Sequence, residues 1–155
     1  MEALIKQTEL MIKVNINTVI LEALNTDEVK AYIVNSNRSR LDNEGTDIEG
    51  VKLRTYAARG SNAYANYTII KRESEGKQTG HVDLNDEGIF HNSIEALLKS
   101  GELIVIGDFD KSDGNIADNL DVSQVLGFTD KDIEHINELI TPIIQQKLLQ
   151  GYGIL

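Results

Sequence analysis

Gly80-His-Val-Asp-Leu-Asn-Asp-Glu-Gly-Ile-Phe-His-Asn-Ser-Ile94 reads as a short strand, a glycine-bearing turn at Asp86-Glu87-Gly88, and a long strand that doubles back. Phe90, Asn92, Ile94, Ala96 and Leu98 fall on one face at the period of two that marks a strand. Leu103-Ile-Val-Ile106 is apolar and rich in β-branched residues, and Ser100-Gly101 between the two runs suits a tight hairpin turn. A helix over Ser93 to Lys99 is the alternative reading.

Outward from this hairpin the pattern turns helical. Leu4, Ile5, Met11, Ile12, Ile16, Val19, Ile20 and Leu24 recur near helical spacing, with Val14 and Asn15-Ile-Asn17 as a place for a break. Thr26 is a good N-cap for a second helix that buries Val29, Ile33 and Tyr32 and fades near Arg40-Leu41. Leu41 to Gly50 reads as loop, and Ala63 to Lys71 is compatible with a strand or a short helix. Asp108 to Asp121 is an acidic loop. Thr129 then caps a final helix with Asp130 and Asp132 in its first turn and a stripe of Ile133, Ile136, Leu139 and Ile140; Pro142 is a place for a kink or a restart. The expected fold is α+β: N-terminal helices, a small antiparallel β-sheet with a hairpin, and a C-terminal helix. One domain is expected over residues 1–155, with 1–41 mainly helical, 51–107 mainly sheet and 129–150 the last helix.

Bulk composition narrows the function classes. At 155 residues the chain is long enough to bury a core without staples. It has no cysteine, which removes disulfides, thiolate metal sites and thiol catalysis together. A net charge of −10 argues against general affinity for nucleic acid, which needs clustered cations. No apolar run reaches a membrane-spanning length, and Met-Glu-Ala-Leu-Ile-Lys at the start lacks the pattern of a signal peptide. A soluble protein made in a cytoplasm is expected.

Motifs for chemistry are sparse. His81, Asp83, Asp86, Glu87 and His91 lie close together, but their spacing matches no metal motif, and Asp-Glu-Gly is ordinary turn chemistry. Asp108-Phe-Asp110-Lys-Ser-Asp113-Gly114 puts neither glycine at position 6 nor glutamate at position 12 of a calcium loop in either register. His91 and Ser93 lack the glycine cluster of a nucleophile elbow. The expectation is a non-enzymatic protein with no cofactor and no metal.

Charge distribution is more telling. Lys52, Arg54, Arg59, Lys71 and Arg72 fall in one stretch without a single acid, interleaved with Tyr56, Tyr64 and Tyr67. Asp108 to Glu138 carries nine acids against two lysines. Three readings stay open: two solvated faces, a head-to-tail contact between subunits, or local stacking of nucleic acid on the tyrosines, which the overall charge disfavours. For the subunit contact the candidates are Lys52, Arg54, Arg59, Tyr64, Lys71 and Arg72 on one side. Asp108, Asp110, Asp113, Asp118 and Asp121 stand on the other.

Three segments stand in a suggestive order: Asn35-Ser-Asn-Arg-Ser-Arg-Leu41 with its glycine-marked loop, Val82-Asp-Leu-Asn-Asp-Glu-Gly-Ile-Phe-His-Asn-Ser-Ile94, and Val125-Leu-Gly-Phe-Thr129 before the last helix. This order resembles the tail-completion or neck (head-tail connector) proteins of tailed bacteriophages, of the type carried by phages of gut Bacteroidetes. Glu87 stands where that pattern has threonine, and Ile89 where it often has a polar residue. The resemblance spans about Asn35 to Leu149. It implies a virion subunit, assembled in the host bacterial cytoplasm, that forms a homo-oligomeric ring at the head-tail junction without catalysis. Portal or adaptor and tail proteins would be its partners, with DNA only passing cargo. The rival classes are a monomeric acidic accessory protein that binds a host or virion partner, and a metal-dependent hydrolase centred on His81 to His91.

Overall fold

The computed structural model describes residues 15–111 and 114–151. Among the described residues, five α-helices and a two-stranded antiparallel hairpin make an α+β fold. The apolar positions read at Leu4, Ile5, Met11 and Ile12 lie outside the described residues.

Helix α1 spans Ile16–Leu24 and begins where the Asn15 side chain accepts hydrogen bonds from the Asn17 and Thr18 amides. Two residues later the chain starts α2, Asp27–Asn43. Thr26 makes the corner: its hydroxyl accepts from the Val29 amide and donates to the Ala23 carbonyl, so one side chain satisfies a group on each helix. Thr26→Ala should lower unfolding stability by about 1 kcal/mol, read as a shifted urea midpoint at unchanged slope. Asp27 and Glu28 lie in the first turn of α2 and Arg40 in its last, each matching the helix dipole. Gly45 stops the helix at φ +59°, with its amide on the Arg40 and Leu41 carbonyls. A Cβ there would sit 2.6 Å from the His81 ring, so the close approach admits glycine alone.

Residues 51–107 differ from the expected mainly-sheet region. Strands β1 (Glu95–Lys99) and β2 (Glu102–Ile106) are its only ladder, and helices α3 (Asn66–Ser74) and α4 (Ile89–Ser93) fill more of it. Phe90 and Ile94 are four apart, a spacing that serves a helical turn as well as a strand. Burial of both Phe90 and His91 fits the helical turn. The long strand expected after Gly88 is therefore a turn of helix followed by β1. Between β1 and β2, Ser100 (φ +54°) and Gly101 (φ +83°) make the hairpin turn where the sequence places it, with Lys99 opposite Glu102.

Asp110–Lys111 (β3) and Gly114–Asn115 (β4) form a second, minimal ladder, and a 3-10 turn at Ile116–Asp118 follows inside the expected acidic loop. Helix α5, Asp130–Gly151, runs through Pro142 without interruption. Its buried stripe is Ile136 and Ile140, while Ile133 is half exposed.

Two cores result. The first joins Leu41, Leu53, Tyr64, Val82, Phe90, Ile94, Ile116, Leu120 and Val125. The second joins Ala23, Val29, Ile33, Ala96, Ile136 and Ile140, between α1, α2, α5 and the hairpin. Val34 and Val105 pack on both, so α2 and β2 form the common wall. A polar seam reinforces it: Asn37 donates to the Ile33 and Gly127 carbonyls and accepts from the Gly127 amide and from Arg40. Arg40 in turn donates to the Val125 and Thr46 carbonyls. Burial pushes the Arg40 guanidinium down from its ordinary value and the charge of Asp132 pulls it back up. No helix among the described residues is long and apolar enough to cross a membrane.

Candidate protein interface

The cations expected to share one face divide into structural and exposed sets. Arg72 and Tyr64, both 5% exposed, belong to the interior and are corrected from interface candidates to core residues. Asp83 organises them. Its Oδ2 accepts from Arg72 Nη2 at 2.5 Å and Gln78 Nε2 at 2.6 Å, and its Oδ1 accepts from the Tyr64 hydroxyl at 3.0 Å. Tyr64 also accepts from the Asp83 amide, and the Arg72 guanidinium lies 4.8 Å from the centre of the tyrosine ring. Burial drives the Tyr64 hydroxyl well above its ordinary pKa, so it stays a donor. Sequence reading could not see this use of Arg72, because the adjacent Lys71-Arg72 pair looks like solvated charge.

Lys71 is exposed, but its ammonium is 3.3 Å from Asp86 and 3.9 Å from Glu75. Lys77 completes the cluster at 2.5 Å from Asp86 and 2.7 Å from Glu75. Their hydrogen bonds to Asp86 raise both lysines, and Lys77 foremost holds the Asp86 carboxyl below its ordinary range. The remaining histidines and the serine weighed for chemistry are tied to backbone. His81 Nε2 meets the Asp42 carbonyl at 2.8 Å and His91 Nε2 meets the Asp83 carbonyl at 2.7 Å, contacts in which the ring nitrogen donates. Ser93 donates to the Phe90 carbonyl and accepts from the Asp108 amide. His91 and Ser93 thus face different partners.

Lys52, Arg54 and Arg59 are exposed. Lys52 donates to the Glu44 carbonyl at 2.6 Å. Arg54 donates to the carbonyls of Ala58 and Gly60, at 3.2 and 2.7 Å, and so shapes the loop that follows it. Among the acids, Asp108 and Asp110 are exposed beside the small ladder, where Asp108 accepts from the Asp110 amide and Asp110 from Asn115. Asp118 is exposed, and Asp113 lies outside the described residues. Asp121, also exposed, accepts from the Ser123 amide, which lowers its pKa. It shares a groove of about 360 Å³ with Lys52, Arg54, Tyr56 and Asp47. The two charge patches, separate in sequence, therefore meet within one chain at this point. A Tyr56 amide bond to the Asn119 carbonyl, 2.7 Å, brings them together.

Two features that no single residue announces remain. Tyr56, Tyr67 and Ile70, large side chains of the cation-rich stretch, are 67, 79 and 66% exposed. A groove of about 820 Å³ runs between α2 and the start of α5, with Glu44, Glu134 and Glu138 exposed along it and the Tyr32 and His135 ring centres 4.3 Å apart, the rings tilted by 42°. The available sequence signal was the i, i+4, i+8 spacing of Asp130, Glu134 and Glu138. No protein-family model matches the chain, and neither a curated protein nor a solved structure matches it.

Proposed function

We propose that this chain is a non-enzymatic assembly subunit, a ring-forming structural protein of the head-tail junction of a tailed bacteriophage. The observation that carries an assembly role is the exposure of Tyr56, Tyr67 and Ile70 in the same stretch of chain as Arg54 and Arg59, since large aromatics and arginine are the residues that anchor protein contacts. The phage setting rests on the segment order Asn35 to Leu149 described above. In such a ring the excess of acids would keep passing DNA from adhering to the wall.

The test is the mass of the purified chain by light scattering during size exclusion, with negative-stain imaging of the peak. A closed oligomer of several subunits is expected. A monomer at every accessible concentration would overturn self-assembly and leave the acidic accessory protein as the better description.

A further inference from the structure

The stretch Thr55–Ala63 is a preformed loop whose ends are tied. The Thr55 amide and hydroxyl both donate to the Ala63 carbonyl, at 2.9 and 3.3 Å. Inside it the Ala58 amide bonds to the Thr55 carbonyl and the Asn62 amide to the Arg59 carbonyl. Arg54 clamps the Ala58 and Gly60 carbonyls from below. A compact surface loop with joined ends and its own internal bonds loses little entropy on docking, a frequent use of such loops. Its side chains at Tyr56 and Arg59 face solvent.

The groove between α2 and α5 has the opposite character. Glu44, Asp132, Glu134 and Glu138 line it against Lys131 and Arg40, and Arg40 is buried with its donors on carbonyls. The Tyr32 and His135 rings give it an aromatic floor. Loop and groove grow from different cores of the same chain, the loop from the first and the groove from the second.

We infer that the Thr55–Ala63 loop of one copy docks in the α2–α5 groove of a second copy, with Arg59 meeting Glu134 and Glu138 and Tyr56 covering the aromatic floor. The inference rests on the assembly reading above. The contact is heterologous, with loop on one side and groove on the other, so it propagates from copy to copy until rotation closes it. Charge complementarity sets the register, and the tyrosine supplies the buried area.

Two variants test it, each checked for an unchanged circular dichroism spectrum and melting midpoint. Tyr56→Ser with Arg59→Glu disables the loop; Glu134→Lys with Glu138→Lys disables the groove. Arg54 is left in place because it shapes the loop. Each variant alone should run as a monomer in light scattering. Mixed in equal amounts, they should give a dimer and nothing larger, because one intact loop and one intact groove remain to meet. If both variants keep the wild-type mass, this interface is wrong while the assembly reading stands. If the two monomeric variants fail to pair on mixing, loop and groove are not each other's partners, and the inference falls. A monomeric wild type overturns the assembly reading itself.

Discussion

Asp83→Ala should destabilise the chain by about 3–5 kcal/mol. Asp83 and Arg72 are both buried, and the carboxylate is the one anion among the described residues in contact with that guanidinium. Removing it strands a charge in the interior, where desolvation is no longer offset. The loss does not stop at the ion pair. Asp83 also accepts from Gln78, Tyr64 and the Asn85 amide, so three further donors lose their acceptor. Leu84 next to it is held at φ +56°, a conformation costly for a leucine, which the surrounding network keeps in place. Equilibrium urea unfolding measures the effect. Arg72→Met combined with Asp83→Ala should recover part of the loss, since an apolar pair leaves no orphaned charge. A double variant no better than Asp83→Ala would mean that the hydrogen bonds, and not the charge, carry the cost. Asp86→Ala is the control: its lysine partners stand in water, and its effect should be much smaller.

The contrast between these two aspartates explains how much of the molecule its sequence discloses. Local chemistry was legible. Thr26, Thr129 and Ser100-Gly101 each act where they stand, because a cap or a tight turn needs only its immediate neighbours. The α+β class follows from the same signals. The segment from Gly88 to Ile94 was not legible in detail, because Phe90 and Ile94 satisfy both periods and only tertiary burial of His91 separates them. Ile133 shows the complementary failure: it lies on the apolar stripe of α5 by spacing, yet the partner helices cover Ile136 and Ile140 and leave it half exposed.

The candidate site was less legible still. Arg72 sits beside Lys71 in sequence, yet one turns into the core and the other to solvent. Charge patches suffer the same limit. Asp121 joins Lys52 and Arg54 in one groove across roughly seventy residues of chain, so counting charges along the sequence separated what the fold brings together. Conversely, Glu44 and Glu138 line a common groove although α2 and α5 are far apart in sequence. Surfaces belong to tertiary structure, and a linear reading finds them only where one helix or loop supplies them whole, as Thr55–Ala63 does.

Asp132→Asn should lower stability at neutral pH by about 2–3 kcal/mol and flatten the acid limb of the stability profile. Asp132 is the third residue of α5, in the place a capping box gives to glutamate or glutamine. Its Oδ2 accepts from the Thr129 amide at 2.9 Å and hydroxyl at 2.8 Å, while its own amide donates back to the Thr129 hydroxyl at 3.1 Å. Its Oδ1 accepts from the Tyr32 hydroxyl at 3.1 Å and from Ser36, which ties the start of α5 to α2. Burial by itself would raise the carboxyl pKa; the bonds from Ser36, Thr129 and Tyr32 outweigh it and leave the group below its ordinary value of 3.8. The folded chain therefore resists a proton that the unfolded chain accepts. The stabilisation is complete above the ordinary value and drains away as pH falls through the lower folded value. Asparagine carries no titrating proton, and its amide group must turn a donor toward either Thr129 or the Tyr32–Ser36 pair. The difference in unfolding free energy between wild type and Asp132→Asn should thus be constant from pH 8 to pH 5 and shrink below about pH 4. A difference that stays constant through pH 3 would show that the carboxyl gains its stability from shape alone and not from its charge.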